Sequence, residues 1–316
     1  MKPCHIEAEL FADNGDRASS IEFFRSHEFL EAEGVTHSLV LGDAEGPILA
    51  APLVVRAIPG SPLLDAVSPY GFPGGAVLRP ARFSTTDVAW HSLNLVSIFI
   101  RNRVGATPVL VDGNQRGVVQ VVDPSLPMHM RRNHRCDIRS NETNGYVTRC
   151  IPARSTTPEE RDAFRAMYLR TMERNEARAW YFFSEEYFAA LFGSEMAWLV
   201  LTNSPTGQPA AGVIVVQSDN LLHCYLSGSA DDYLRDAPAK NAFAGAIQFA
   251  QEKGMPLNLG GGMRGADSLE HFKKGFANAT LPFCTHEIIC DMDAYCELSL
   301  GYEDSGYFPR YRNDRG

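Results

Sequence analysis

The stretch LLHCYLSGSADDYLRDAPAKNAFAGAIQFAQEKGMPLNLGGGMRGADSLEHFKKGF, residues 221–276, decides the fold. It reads as a strand over Leu221–Ser227, a polar turn, a helix opening at Pro238 and a second strand running into Gly260-Gly261-Gly262. A short helix from Ser268 follows, closed by Phe272-Lys273-Lys274-Gly275-Phe276. The longer helix, to Lys253, turns Phe243, Ile247 and Ala250 inward, and Gly254 stands where a glycine ends a helix. Asp267 with Glu270 reads as a capping box for the short helix, whose buried stripe is Leu269, Phe272 and Phe276. Lys273 lies next to that stripe.

Upstream in the same half, Thr157 as N-cap, Pro158 at the first helical position and Glu160 three residues after the cap announce a helix. Its stripe is Phe164, Met167, Tyr168 and Thr171. A hairpin, Met196–Thr202 and Ala211–Gln217, turns through Asn203–Pro209, and Leu221–Ser227 extends its sheet. The first half repeats the order of helix, hairpin, loop, helix, strand without residue-level similarity. Its expected elements are a helix over Ala18–Glu31 and strands Thr36–Leu41 and Ile48–Ile58. A helix after Thr85-Thr86-Asp87 carries Val88, Leu95, Val96 and Phe99, and the strands Pro108–Asp112 and Gly117–Asp123 follow. Met128–Asn144 is basic, and Tyr146–Pro152 connects the halves.

With 316 residues and 45% hydrophobic content the chain has material for two domains of ordinary size. The net charge of −9 argues against a sequence-independent nucleic-acid binder, which needs a broad basic surface, but leaves local basic patches open. There is no run of about 18 apolar residues and no apolar signal core in Met1–Glu7, so the expected location is cytoplasmic with no membrane span. Seven cysteines scattered from Cys4 to Cys296 fit reduced thiols better than a disulfide framework. Cys284, Cys290 and Cys296 recur every six residues, wider than zinc pairs, and no metal site is expected.

Gly260-Gly-Gly262-Met-Arg-Gly265 satisfies the dinucleotide pattern G-x-G-x-x-G, but too little chain follows it to complete a doubly wound sheet. Close backbone approach to a ligand or a neighbouring strand, or a purely structural turn, accounts for it. Serine-hydrolase elbows, zinc-protease helices and P-loops have no counterpart in the sequence. Two arginine groups are candidates for gripping phosphate: Arg170, Arg174 and Arg178 at four-residue spacing, and Arg131, Arg132, His134, Arg135 and Arg139. A charge run is usually a solvated helix face, and Glu173 and Glu176 dilute the first group, so the cluster Arg131–Arg139 is the better candidate of the two.

The order strand, polar loop, helix, strand, Gly-rich turn and Phe272-Lys273-Lys274-Gly275-Phe276 resembles the catalytic half of Fem-type aminoacyltransferases, which are built from acetyltransferase-like (GNAT) domains. Met130–Arg135, Phe164–Arg174, Tyr181-Phe-Phe-Ser-Glu-Glu-Tyr187 and, more loosely, Ser68-Pro-Tyr70-Gly-Phe-Pro-Gly74 carry the resemblance further. It implies an α/β (α+β) chain of two tandem GNAT domains: residues 1–145, a catalytic domain over 146–294, and a segment over 295–316 returning to the first. It also implies transfer of an amino acid from aminoacyl-tRNA to an amine on a peptidoglycan precursor or a peptide natural product. The partners are then charged tRNA and an amine-bearing peptide or nucleotide-linked acceptor, with no cofactor. Under the resemblance Lys273 and Tyr225 are catalytic, while Tyr70, Arg132, Arg135, Arg174, Ser227, Lys240 and Asn241 bind substrates. Without it, Lys273 would read as a solvated charge.

An acetyltransferase-like domain that uses coenzyme A holds the pyrophosphate on a Gly-rich, basic turn at a helix start. Here that place reads Gly228-Ser-Ala-Asp231-Asp232-Tyr-Leu-Arg-Asp236. Three aspartates there would repel a pyrophosphate, unless they are solvated or cap a helix. An N-acyltransferase fed by an acyl-CoA or carrier-protein thioester, and a silent binding module, are the alternatives.

Overall fold

A computed structural model describes residues 6–261 and 268–313. Cys4, the Gly262–Gly265 part of the glycine turn and the Asp267 cap lie outside the described residues. The chain divides into two compact units, Met1–Gly117 with Pro282–Gly316, and Val118–Leu281. Residues 118–145, expected with the first half, therefore belong to the second unit, and 282–294 belong to the first.

Each unit carries the same mixed sheet. In the first, the strands Glu7–Phe11, His37–Asp43, Gly46–Ala57 and Leu64–Val67 are antiparallel neighbours. Leu64–Val67 then pairs in parallel with Ser97–Arg101, which takes residues Thr285–Ile289 of the C-terminal strand antiparallel. In the second, Val147–Pro152, Ala197–Asn203, Pro209–Ser218 and Leu221–Ser229 form the antiparallel run. Leu221–Ser229 pairs in parallel with Leu257–Gly260, which takes residues 120–122 of Asn114–Val122 antiparallel. The duplication expected from element order is thus present as two runs of strands with the same pairing order: four antiparallel neighbours, one parallel step and a last antiparallel strand. The last strand of the first unit comes from its separate segment Pro282–Gly316, whereas Asn114–Val122 follows Ser97–Arg101 directly in the chain yet pairs with Leu257–Gly260.

Local signals fixed much of the second unit. The helix Pro158–Arg174 begins with the Thr157–Glu160 capping box, and Ala239–Lys253 ends at Gly254 in the left-handed region, φ 62°. The core of this unit buries Phe243, Ile247, Ala250 and Phe276 against Val200, Val213, Val215 and Leu257. Gly228 is required by packing: a Cβ there would lie 2.5 Å from the Tyr168 nitrogen of helix Pro158–Arg174. In the first unit the aromatic tail is docked. Tyr311 hydroxyl meets Ser97 Oγ at 2.8 Å, and Arg312 and Arg56 flank the wholly buried Asp65 carboxylate.

Three expectations are corrected. The helix after Thr85–Asp87 is absent; two 3-10 turns, Thr85–Asp87 and Trp90–Leu93, lead into the strand Ser97–Arg101. Asn94 in the left-handed region, φ 53°, breaks any helix there, and Val96, Ile98 and Ile100 suit a buried strand. Pro108–Asp112 forms only an isolated bridge, Leu110 to Phe83. The Ala18–Glu31 helix is reduced to His27–Ala32 behind two 3-10 turns, where Ser26 caps it late.

Candidate active site

The parallel step in the second unit consists of two ladder pairs, Leu222↔Leu257 and His223↔Asn258. Beyond them the two strands separate, so the edge of Tyr225–Ser229 facing Leu257–Gly260 is left open within the described ladder. On its other edge the strand bulges: Leu226 faces Ile214 and Cys224 faces Val215, leaving Tyr225 as the extra residue. A bulge of this kind re-aims a side chain. The Tyr225 hydroxyl meets that of Tyr187, which stacks on Phe183 at 4.1 Å with planes 10° apart. Ser227 lies two residues on, half-buried, with its hydroxyl unpaired among the described residues.

Lys273 closes this opening from the short helix Ser268–Lys274. Its Nζ donates to the Gly261 carbonyl at 2.8 Å, and Gly260, φ 84°, has no Cβ in the way: one would stand 2.8 Å from Nζ. The glycine turn therefore admits a lysine. The ammonium also sits near enough to Cys224 to oppose, in part, the burial that pushes that thiol up to about 12. The turn is braced from behind, since Asn258 Oδ1 accepts from Gly260 N at 2.7 Å and its amide donates to His223 Nδ1 at 3.0 Å. That leaves His223 Nε2–H to donate to the Ser218 carbonyl, 3.3 Å away, as a neutral imidazole. Burial holds its pKa down at about 4.

His134 supports the same helix. Its buried ring lies 4.4 Å from that of Phe276 and 5.4 Å from that of Phe272, and it fills the space a side chain at Gly275 would need. Burial first, then the charges of Lys240 and Arg131, lower its pKa to about 4. Arg131 donates from its backbone to the Gly275 carbonyl and from its guanidinium to the His271 carbonyl at 3.2 Å. The sequence pattern Phe-Lys-Lys-Gly-Phe is thus a packing requirement of this histidine as much as a lysine motif.

The other named residues are distributed unevenly. Arg132 and Arg135 lie, with Arg139, on the exposed side of helix Arg132–Thr143, and none of the three pairs with a carboxylate among the described residues. Arg174 is tied to Asp231 and bonds Thr171 Oγ1 at 3.2 Å, Arg170 pairs with Glu173 at 3.0 Å, and Arg178 lies over Trp180. Lys240 pairs with Asp137, while Asn241 is buried and accepts from Asn141 Nδ2 at 2.8 Å. Those two residues join the start of helix Ala239–Lys253 to helix Arg132–Thr143. Tyr70 belongs to the first unit, where its backbone donates to Glu33. Tyr187 and the bracing role of His134 were not singled out from sequence, although both fall inside the stretches that carried the resemblance.

Two of the aspartates at the expected pyrophosphate place have protein partners. Asp231 pairs with Arg174, and Asp236 accepts the Tyr146 hydroxyl at 2.6 Å and, through its carbonyl, Asn141 Nδ2 at 2.8 Å. Of the cysteines, the six described are free, and no cluster of three or more metal-ligating side chains occurs among the described residues. No described helix is long and apolar enough to cross a membrane.

A family model described as an acetyltransferase (GNAT) domain matches residues 128–274. No curated protein matches the sequence significantly. Among solved structures, FemX superposes with TM-score 0.59 at 12% identity, covering 90% of this chain and 96% of FemX. A domain described as the C-terminal part of a lysylphosphatidylglycerol synthetase from Agrobacterium fabrum gives 0.59 at 13%, covering 91% and 95%. L-PGS from Bacillus licheniformis gives 0.55 at 12%, covering 85% and 88%. Residues 128–274 thus match a GNAT-domain model, and the chain shares its fold with FemX and with the lysylphosphatidylglycerol synthetase domain.

Proposed function

We propose that this protein is an aminoacyltransferase that moves an amino acid from aminoacyl-tRNA to an amine, on a peptidoglycan precursor or a peptide natural product. The amine nitrogen attacks the ester carbonyl carbon, a C–N bond replaces the C–O bond, and the proton lost by the amine ends on the ribose oxygen. Such a reaction needs alignment and a positive group at the oxyanion more than it needs a covalent intermediate. Lys273, held against the Gly261 carbonyl, supplies the charge, and the bulged Tyr225 with Ser227 orients the reactants. The exposed Arg132 and Arg135 meet donor phosphates in spite of the acidic whole.

The observation that favours this donor over a CoA thioester is the start of helix Ala239–Lys253. Where a pyrophosphate would need free N–H groups and positive charge, the Lys240 and Asn241 backbone N–H groups donate to the Ala237 and Pro238 carbonyls, the Lys240 ammonium is paired with Asp137, and the preceding turn adds the exposed Asp232. The test is transfer of a labelled amino acid from charged tRNA to a panel of amines, by the wild-type protein and by Lys273→Ala. Transfer is expected from the wild type, with turnover down about a hundredfold in the variant, the usual effect of losing one oxyanion donor. Lys274→Ala, which removes the exposed lysine's i,i+4 pair with Glu270 and leaves Lys273 in place, should match the wild type in turnover. Transfer from acyl-CoA and none from any charged tRNA would overturn the proposal.

A further inference from the structure

The reaction as described leaves one surface beside the tyrosine pair unused. Trp180 is 46% and Phe182 40% exposed, on the 3-10 turn Ala179–Tyr181 and the residue after it. Such rings are usually buried for the free energy their apolar area returns, and these two stand in solvent two residues apart on one turn. The turn that presents them is held on several sides. The Tyr168 hydroxyl donates to the Tyr181 carbonyl at 2.8 Å, and the Phe182 nitrogen donates to the Ala179 carbonyl at 3.1 Å. The Arg178 guanidinium lies 5.0 Å from the centre of the Trp180 ring. The next residue, Phe183, stacks on Tyr187, whose hydroxyl meets Tyr225.

We propose that Trp180 and Phe182, with Arg178, form a stacking platform for the unpaired 3′-terminal nucleotides of the donor tRNA; this rests on the donor assigned above. A nucleotide base offers a flat π face to an exposed aromatic ring whatever its identity, and a neighbouring arginine adds a cation for the base or its phosphate. Position supports this occupant. The amino acid is esterified to the last nucleotide, and the turn leads to Tyr225 through the Phe183 and Tyr187 rings. Of the acidic residues flanking the turn, Glu173 and Glu185 are paired with Arg170 and Arg165, which leaves Glu176 and Glu186 to set against Arg178.

The experiment uses the full chain and two uncharged tRNA acceptor-stem minihelices, one ending in the unpaired CCA and one lacking those three nucleotides. The wild type should bind the first roughly tenfold or more tighter, the scale of base–aromatic stacking. Trp180→Ala and Phe182→Ala should each lose most of that preference without changing affinity for the shortened stem, and Trp180→Tyr should keep it. Because both side chains are exposed, unchanged melting of the variants separates this from misfolding. Equal wild-type binding of the two stems, or alanine variants that keep the full preference, overturns the platform alone. Failure of the wild type to bind either stem removes the donor assignment, and the platform with it.

Discussion

Gly275→Ala should lower the melting temperature and the turnover together, because the methyl group has nowhere to go. Built on the present backbone, the new Cβ falls 2.1 Å from His134 Cε1, 2.6 Å from Nδ1 and 2.9 Å from Nε2. Ordinary contact requires more than 3.4 Å, so the ring or the helix end must shift by over 1 Å. The imidazole has little room to retreat, since His134 is 3% exposed and packs against Phe272 and Phe276. Overpacking a close-packed core costs about 1–3 kcal/mol, and a clash of this depth belongs at about 3 kcal/mol. Loss of glycine's freedom in the unfolded chain acts the other way, by about 0.4–1 kcal/mol, so the clash decides the sign. For a unit of this size a net loss of about 2 kcal/mol lowers Tm by roughly 4–8 °C. Lys273, two residues earlier, should move with the helix and kcat should fall although every catalytic side chain is present. Calorimetry and single-turnover transfer measure the two effects. In the double variant His134→Ala/Gly275→Ala the methyl has space, and it should be no less stable than His134→Ala alone. A Gly275→Ala protein melting within about 1 °C of wild type would refute the packing argument.

Two further outcomes follow from the same geometry. His134 and His223 have pKa values lowered from 6.5 to about 4, so between those pH values the unfolded chain binds more protons than the folded one. Stability should therefore rise with pH across that window and be complete above about 6.5; acidification to pH 4 should cost about 3 kcal/mol for each histidine, and His134→Phe should remove its share in urea titrations. Replacing both Arg132 and Arg135 by Ala should raise the KM for charged tRNA but not for the amine, and should reduce the salt slope of donor binding by roughly 1–2. Unchanged donor kinetics would take that helix face out of the site.

Sequence alone determined what local chemistry enforces. Thr157, Pro158 and Glu160 satisfy the first N–H groups of a helix from within four residues, and Gly254 supplies the left-handed turn that ends one, so both helices stand where their signals put them. The turn formers of Asn203–Pro209 likewise placed the strands on either side of it. Residues 88–99 misled, because Val88, Leu95, Val96 and Phe99 match a helical spacing while burial on both faces of a strand requires a similar apolar run. Only the tertiary structure decided which strand completes which sheet, since Asn114–Val122 takes its partner from residues more than a hundred positions away. It also decided the fate of charge. Lys240 looks like an anion ligand at a helix start until Asp137, on another helix, claims it, and Lys273 looks like a solvated charge until the Gly261 carbonyl fixes it at the open end of a splayed pair of strands. A side chain's chemistry is written in the sequence, but its partners are set by long-range packing, and the partners determine whether a charge is spent on the fold or left for a substrate.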